Sequence, residues 1–330
     1  MAKLLVTRRF PGGGVGMVLG SGHEVRVNEE DRLMERSELL SAAAGRDGVL
    51  TQLGDRVDRE FFDAAGPQLR VVSNYAVGYN NVDVVEATRR GIVVTNTPGV
   101  LTEATADIAW LLLMGVARRA HEGEALARSG DWRSWKPNLL LGSDLVGATL
   151  AIVGAGRIGM AVSRRARAWS MKILYVARSP KAEFERELGA ERRELDEAMG
   201  EADFVSIHVP LTAETTHLID ERRLRLMKPT GYLVNTARGP IVDEAALVRV
   251  LREGAIGGAG LDVYEREPEL EPGLADLSNT FLLPHLGSAT IGTRSAMGEL
   301  AARNLLAVVG GQRPPHPING EVQDEARTRK

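Results

Sequence analysis

The chain has 330 residues, a formal net charge of −3, 44% hydrophobic and 26% charged residues, and no cysteine. This composition suits a soluble globular protein with room for two domains, and it provides no basic field for nucleic acid. Without cysteine, disulfides, thiolate catalysis and cysteine-held metals are excluded, and a reducing compartment is compatible.

Residues 1–10 lack an apolar core followed by a small-residue cleavage site, so no signal peptide is expected. The apolar run 108–116 is too short for a bilayer and is flanked by Asp107 and Arg118, which makes a cytoplasmic protein the expectation. Strands are predicted over 3–7, 24–27, 48–51, 69–73 and 92–95. Helices alternate with them over 37–44, 55–65 and 82–89, with another from Val15 after the flexible Pro11-Gly12-Gly13-Gly14 loop. Gly45 and Gly91 close two of these helices. The alternation implies a parallel sheet covered by helices. A long helix is predicted over 102–120. It is too apolar to lie alone on a surface and is expected either to cross between domains or to join a partner subunit. Residues 130–147, rich in Trp, Pro, Gly and Asn, form an irregular connection of a length that marks a functional loop or an interface. From Thr149 the alternation restarts, with strands over 149–153, 172–176, 203–209, 231–235, 259–263 and 281–283 and helices over 160–169, 220–227 and 243–252. Six strands fit a doubly wound nucleotide domain. A last helix over 291–309 suits a return to the first domain, and residues 321–330 read as a loose charged tail.

Gly154-Ala155-Gly156-Arg157-Ile158-Gly159 stands between the strand 149–153 and the helix that follows. Strand, G-x-G-x-x-G and helix in that order point to dinucleotide binding. Gly154 permits the tight turn, Gly156 lets a pyrophosphate approach the backbone, and Gly159 lets helix and strand pack closely. The helix N-terminus then offers N–H groups and a positive dipole end to phosphates. The plainer alternative is an ordinary strand-to-helix turn.

Six histidines are available. His23 precedes a short strand and His316 lies among prolines. His121 ends the long helix, where a cation suits the dipole. His208, inside a strand, reads as structural. His217 follows Thr215-Thr216 at the mouth of a strand-to-helix turn. His285 follows an apolar strand and Pro284, which puts it at the carboxyl end of the last strand, facing the crevice where open α/β sheets bind ligands. Arg238, at the end of the strand 231–235, reaches the same crevice, and its guanidinium fork suits a small carboxylate. A plain surface arginine is the alternative. Glu267 lies in the acidic stretch Tyr264-Glu265-Arg266-Glu267-Pro268. That stretch reads either as a solvated loop or as the source of a carboxylate that favours imidazolium and orients a histidine ring.

Several motifs in order resemble the D-isomer-specific 2-hydroxyacid dehydrogenases over nearly the full length, and among them the glyoxylate/hydroxypyruvate reductases most. They are the stretch 74–83 (Asn74-Tyr75-Ala76-Val77-Gly78-Tyr79-Asn80-Asn81-Val82-Asp83), Thr95-Asn96-Thr97-Pro98-Gly99, the Gly154 motif, Val209-Pro210-Leu211-Thr212, Asn235-Thr236-Ala237-Arg238-Gly239, Gly260-Leu261-Asp262-Val263 and Pro284-His285-Leu286-Gly287-Ser288. The resemblance implies an α/β protein of two doubly wound parallel-sheet domains. A Rossmann NAD(P)-binding domain, residues 100–287, is inserted into a flavodoxin-like substrate domain, residues 1–99 and 288–330, with a cleft between them whose closure excludes water. It implies a catalytic set of Arg238, Glu267 and His285, with His285 as the proton donor. Substrate contacts follow at Leu53, Val77, Gly78, Arg238 and Ser288, with Trp135 entering a neighbouring subunit's site. Cofactor contacts are implied at Thr105, at Gly154, Ala155, Gly156, Arg157, Ile158 and Gly159, at Ala177, Arg178 and Ser179, at Val209, Pro210 and Thr215, at Thr236, Ala237 and Arg238, and at Asp262, His285, Leu286 and Gly287. No metal is implied.

An NAD-type site places an acid about twenty residues past the first glycine. Here the second strand runs into Ala177-Arg178-Ser179-Pro180-Lys181 without one. The expectation is therefore NADP, with NAD possible as a second cofactor. The expected substrate is a small 2-oxo acid, glyoxylate first and hydroxypyruvate second. The expected assembly is a homodimer through the helix 102–120 and the Trp132–Trp135 loop, with no nucleic acid or membrane partner. Two alternatives stay open at this point, a short-form phosphoglycerate dehydrogenase and a nucleotide-sensing corepressor-type binding protein.

Overall fold

The computed structural model describes residues 1–322, so the part of the charged tail from 323 onward lies outside the described residues. The chain divides into two compact units, Met1–Leu101 with Ala289–Lys330, and Thr102–Ser288. In the first unit the elements run β1 (Lys3–Val6), α1 (Gly14–Leu19), β2 (Glu24–Val27), α2 (Arg36–Ala43), β3 (Gly48–Thr51), α3 (Arg59–Ala65), β4 (Val71–Asn74), α4 (Val84–Arg89) and β5 (Val93–Thr95). All pairings are parallel, in the order β2-β1-β3-β4-β5. This is the flavodoxin-like order. β3 and β4 are buried along their whole length, as strands covered on both faces must be. Leu5, Val49, Phe61, Phe62, Val72 and Val94 form the core on one face. Two predicted helices begin later than expected. Asp58 and Asp83 each accept a hydrogen bond from a first-turn amide, so they act as caps and the helices start behind them.

The second unit opens with α5 (Thr102–Ala117) and α6 (Ala120–Ser129). One helix over 102–120 was expected. The chain instead turns at Arg119, a left-handed residue with φ +53°, and a separate helix follows. His121 therefore lies in the first turn of α6 rather than at the carboxyl end of a helix. Its Nε2 meets the Ser278 carbonyl at 3.0 Å and its ring stacks on Phe281. The apolar length of α5 also has a nearer cause than a domain crossing or a partner. Ala106, Ala109, Leu112, Leu113 and Val116 are buried in this unit's own core with Ile152, Tyr232 and Val234.

No helix or strand occurs between α6 and β6 (Thr149–Val153), as expected. Then follow α7 (Arg157–Ala168), β7 (Lys172–Val176), α8 (Ala182–Leu188), β8 (Glu191–Arg192), α9 (Leu195–Glu201), β9 (Phe204–Ile207), α10 (Glu221–Leu224), β10 (Tyr232–Asn235), α11 (Glu244–Arg252), β11 (Gly258–Leu261) and β12 (Thr280–Leu282). The sheet has seven parallel strands, not six, ordered β8-β7-β6-β9-β10-β11-β12. The added strand is β8, two residues long. The order reverses direction at β6, the switch point where doubly wound sheets bind ligands. The chain then returns to the first unit as α12 (Ile291–Val309). There α12 passes so close to α1 that a Cβ on Gly14 would come within 2.5 Å of the Gly298 backbone. Among the described residues no helix is long and apolar enough to cross a membrane.

Candidate active site

β6 ends at Gly154, where φ is +107° and a Cβ would lie 2.6 Å from the His208 carbonyl carbon and 2.7 Å from the Val209 nitrogen. Gly159 faces the same turn, and a Cβ there would lie 2.5 Å from the Gly154 oxygen. Both glycines are required by the protein's own packing. Gly156 is not, because a Cβ on it would meet nothing within 4 Å. Gly156 caps α7 with no side-chain cap, and the first turn, including Arg157 and Ile158, holds no acid. The first amides of α7 are thus left to an anion. Across the switch point the Thr236 hydroxyl is buried without a partner among the described residues. An open Cβ direction, an uncapped helix start and an orphaned hydroxyl together fit a dinucleotide.

Around this cradle the neighbouring loops are tied down. The Thr215 hydroxyl donates to the Pro210 carbonyl at 2.7 Å and accepts from the Thr212 amide at 2.7 Å, which tightens the turn after β9. After β7, Ala177 accepts from Arg192 Nε at 3.2 Å, and the Lys181 amide donates to the Tyr175 hydroxyl at 2.9 Å. Arg178 and Ser179 are exposed between these two anchors, and the Lys181 side chain is exposed at the second. The Glu214 carboxyl is held below its usual range chiefly by the Thr212 hydroxyl, with the charge of Arg178 adding to the effect.

β10 delivers Arg238. Asn235 shapes the turn by accepting from the Ala237 amide and donating to the Arg238 carbonyl, at 3.0 and 2.9 Å. Burial pulls the guanidinium pKa down, opposed by the charge of Glu267. β11 delivers Asp262 and, beyond it, Glu267. The Glu267 carboxylate accepts from the Tyr264 amide at 3.0 Å and meets His285 Nδ1 at 2.8 Å. Burial acts to raise its pKa. The hydrogen bond and charge of His285, the Tyr264 amide and Arg238 outweigh burial and hold it below the usual carboxylate range. The structure thus joins Glu267 to His285 and sets Arg238 where its charge reaches Glu267.

His285 has φ +55°, a left-handed conformation that costs a non-glycine residue about 1–2 kcal/mol. The next two residues hold it there. Leu286 and Gly287 donate their amides to the two oxygens of Asp262 at 2.6 and 2.7 Å, and the Gly287 carbonyl accepts from the Thr105 hydroxyl at 2.9 Å. This clamping role of the buried Asp262 was not visible in the sequence, where the resemblance implies it only as a cofactor contact. Ser288 follows at once. His208, expected inside a strand, instead follows β9, which ends at Ile207; Ser206 lies 2.9 Å from its Nε2, and burial pushes its pKa down to about 3. His217 meets Glu265 at 3.1 Å.

The first unit holds Leu53, Val77 and Gly78 on two joined loops. The Val77 carbonyl accepts from Asn96 at 2.8 Å and the Gly78 carbonyl from Asn74 at 2.9 Å. Asn81 donates to the carbonyls of Gln52 and Asp55, at 3.0 and 3.1 Å, on either side of Leu53. Sequence reading missed these asparagines as positioning groups. The signals were Asn74 and Asn96, each standing where an apolar strand stops. Trp132 and Trp135 stand 58% and 78% exposed in the irregular stretch of the second unit. Among the described residues no group of three or more His, Cys, Asp or Glu could hold a metal ion.

Residues 110–287 match the family model described as the D-isomer specific 2-hydroxyacid dehydrogenase NAD binding domain. A glyoxylate reductase of Thermococcus kodakarensis is 54% identical over 324 residues, covering 97% of each chain. A crystal structure of a protein from Thermus thermophilus superposes with a TM-score of 0.89 at 48% identity, covering 96% of this chain and 99% of that one. The structure of an NADPH-dependent glyoxylate/hydroxypyruvate reductase from Sinorhizobium meliloti, in complex with NADP and malonate, gives 0.83 at 35% identity, covering 97% of both.

Proposed function

The chain belongs to the D-isomer specific 2-hydroxyacid dehydrogenase family, and we propose that within it the protein reduces glyoxylate, and hydroxypyruvate as a second substrate, with NADPH preferred over NADH. It is an oxidoreductase that works with a nicotinamide cofactor. The observation that carries the chemistry is the 2.8 Å contact between Glu267 and His285 Nδ1, within reach of the charge of Arg238. With Nδ1–H donated to Glu267, Nε2 is the nitrogen left for a substrate, and it carries a proton to give only as imidazolium. Glu267 holds the ring in place through Nδ1. Arg238 pairs with the carboxylate of the 2-oxo acid. When bound, the reduced nicotinamide supplies hydride to the carbonyl carbon. The carbonyl electron pair moves to oxygen, and His285 delivers the proton that oxygen takes up.

Further substrate contacts at Leu53, Val77, Gly78, Ser288 and Trp135 are part of the same proposal, as is the substrate-binding role of residues 1–99 and 288–330. They rest on the family's motifs. The cofactor contacts rest on the same motifs and on the fit of the Gly156 cradle and the Thr236 hydroxyl. The preference for NADPH is supported by the absence of an acid over 177–182 and by the exposed Arg178, Ser179 and Lys181. A homodimer is proposed, with Trp135 serving the partner's site. The readings as a phosphoglycerate dehydrogenase or a corepressor-type sensor are not favoured, since glyoxylate reductases of two Thermococcus species are 54% and 52% identical over 97% of this chain.

Steady-state kinetics over a panel of 2-oxo acids with each cofactor test the reading. The highest kcat/KM is expected with glyoxylate and NADPH. His285→Ala is expected to lower turnover by about two to four powers of ten while NADPH binding persists. Absence of cofactor oxidation with every 2-oxo acid overturns the enzymatic reading. Unchanged turnover in His285→Ala removes that residue from the role.

A further inference from the structure

Glu267 is carried on a loop that crosses directly over the residue after Arg238. A Cβ on Gly239 would lie 1.8 Å from the Tyr264 carbonyl carbon and 2.3 Å from the Glu265 nitrogen. That crossing is pinned from beneath by Glu244, the first residue of α11, which is only 2% exposed. The Glu265 amide donates to Glu244 Oε1 at 2.9 Å, and the Glu244 amide donates to Glu265 Oε1 at 2.9 Å. Two carboxylates thus brace each other's backbones across a long separation in the chain. His217 Nε2 reaches the same Glu265 oxygen at 3.1 Å. One residue earlier, the Tyr264 amide holds Glu267 and the Tyr264 hydroxyl donates to the Leu283 carbonyl at 2.9 Å, two residues before His285.

Burying Glu244 beside a second, half-buried acid is costly. Burial pushes the Glu244 pKa up to about 7, and the charges of Glu265 and Glu271 add to this, while the Glu265 amide and Arg266 oppose it. A neutral residue that merely capped α11 would avoid the cost, and Asp243 already caps that helix by accepting from the Ala246 amide. The Glu244 side chain is therefore not needed as the cap and serves instead as the acceptor of the Glu265 amide. We infer that Glu244 is a positioning residue for the reaction. Through Glu265 it fixes the loop that presents Glu267 to His285, and His217 steadies the outer side of the same brace. This rests on the reading that Glu267 keeps His285 ready as proton donor.

The test compares Glu244→Ala, Glu244→Gln, His217→Ala and Glu267→Gln by the pH profile of kcat with glyoxylate and NADPH. Turnover needs the protonated donor, so activity falls on the alkaline side. A carboxylate beside the donor moves that limb up, and its loss moves the limb down. Glu267→Gln is expected to move the alkaline limb to lower pH. Glu244→Ala is expected to move it the same way and to lower kcat by about tenfold to a hundredfold, the cost of a misplaced catalytic group, with the Kd for NADPH unchanged. Glu244→Gln keeps an acceptor for the Glu265 amide and is expected to retain most of the activity and the wild-type profile. His217→Ala removes a side chain that is 46% exposed, leaves the core intact, and is expected to give a smaller shift in the same direction. An unmoved limb in Glu244→Ala and His217→Ala, with Glu267→Gln shifted, overturns the role of Glu244 even if the melting temperature falls. An unmoved limb in all of them overturns the role of Glu267 itself, and this inference with it.

Discussion

At Gly154 and Gly159 the reason for glycine is inside the protein. At Gly154 the left-handed φ and the His208 carbonyl both exclude a side chain, and at Gly159 the Gly154 oxygen does so. At Gly156 nothing in the chain excludes one. A glycine without an internal reason, at the uncapped start of a helix, has its reason in what binds there. The three positions are therefore expected to separate by experiment. Gly154→Ala should lower stability by more than about 1 kcal/mol through strain and contact, read as a drop in melting temperature without cofactor. Gly156→Val should leave stability within about half a kcal/mol of wild type while weakening NADPH binding by at least about tenfold. Equal losses of stability at both positions would show that Gly156 is structural after all. The motif is visible in sequence, but the division of labour within it is not, because it depends on what each absent Cβ would touch.

Strands and loops were not equally readable. The buried parallel strands β3, β6 and β7 stand as continuous apolar runs, and their bounds agree with the expectation to the residue. β8 is two residues long and charged, so it leaves no pattern. α8 and α9 are short and dense in charge, with Phe184, Leu188, Ala198 and Met199 buried and Leu195 partly so. An apolar stripe that sparse does not stand out beside so many charges. The missed elements bear on the site. β8 supplies Arg192, which anchors Ala177, and the buried Tyr175 anchors Lys181, so the exposed Arg178 and Ser179 stand on a loop fixed at both ends. A fixed basic loop favours an additional phosphate over a free ribose hydroxyl. Arg178→Ala is accordingly expected to lower kcat/KM for NADPH by about tenfold or more, with the value for NADH changed far less. Arg192→Ala, which frees the loop without removing the exposed charge, is expected to lower the ratio by less. A strong preference for NADH in the unmodified enzyme would overturn the phosphate-binding role of this loop.

On the scale of the chain, the sequence made the two α/β halves visible through alternation alone. The order of strands within each sheet came only with the structure, because parallel pairing joins residues far apart in sequence. The insertion of one unit between the two segments of the other was an expectation of the resemblance rather than of the alternation, and it turns on where the chain returns, at α12. What neither the alternation nor the packing accounts for is the irregular stretch before β6. Trp132, Trp135, Leu141 and Val146 are between 58% and 78% exposed there, and Leu111 on α5 is half-exposed nearby in sequence. Large apolar side chains held out by a connection with no helix or strand are poor in a monomer and useful in an interface. In a symmetric dimer each protomer would lend Trp135 to the other's site, and this predicts complementation. Trp135→Ala and His285→Ala are each expected to be nearly inactive alone. Co-expressed, they form mixed dimers in which one of the two sites has an intact His285 from one chain and an intact Trp135 from the other, so activity should return to about a quarter of wild type if chains pair at random. If Trp135 serves only its own chain, no mixed dimer contains a complete site and the mixture stays as inactive as its parents.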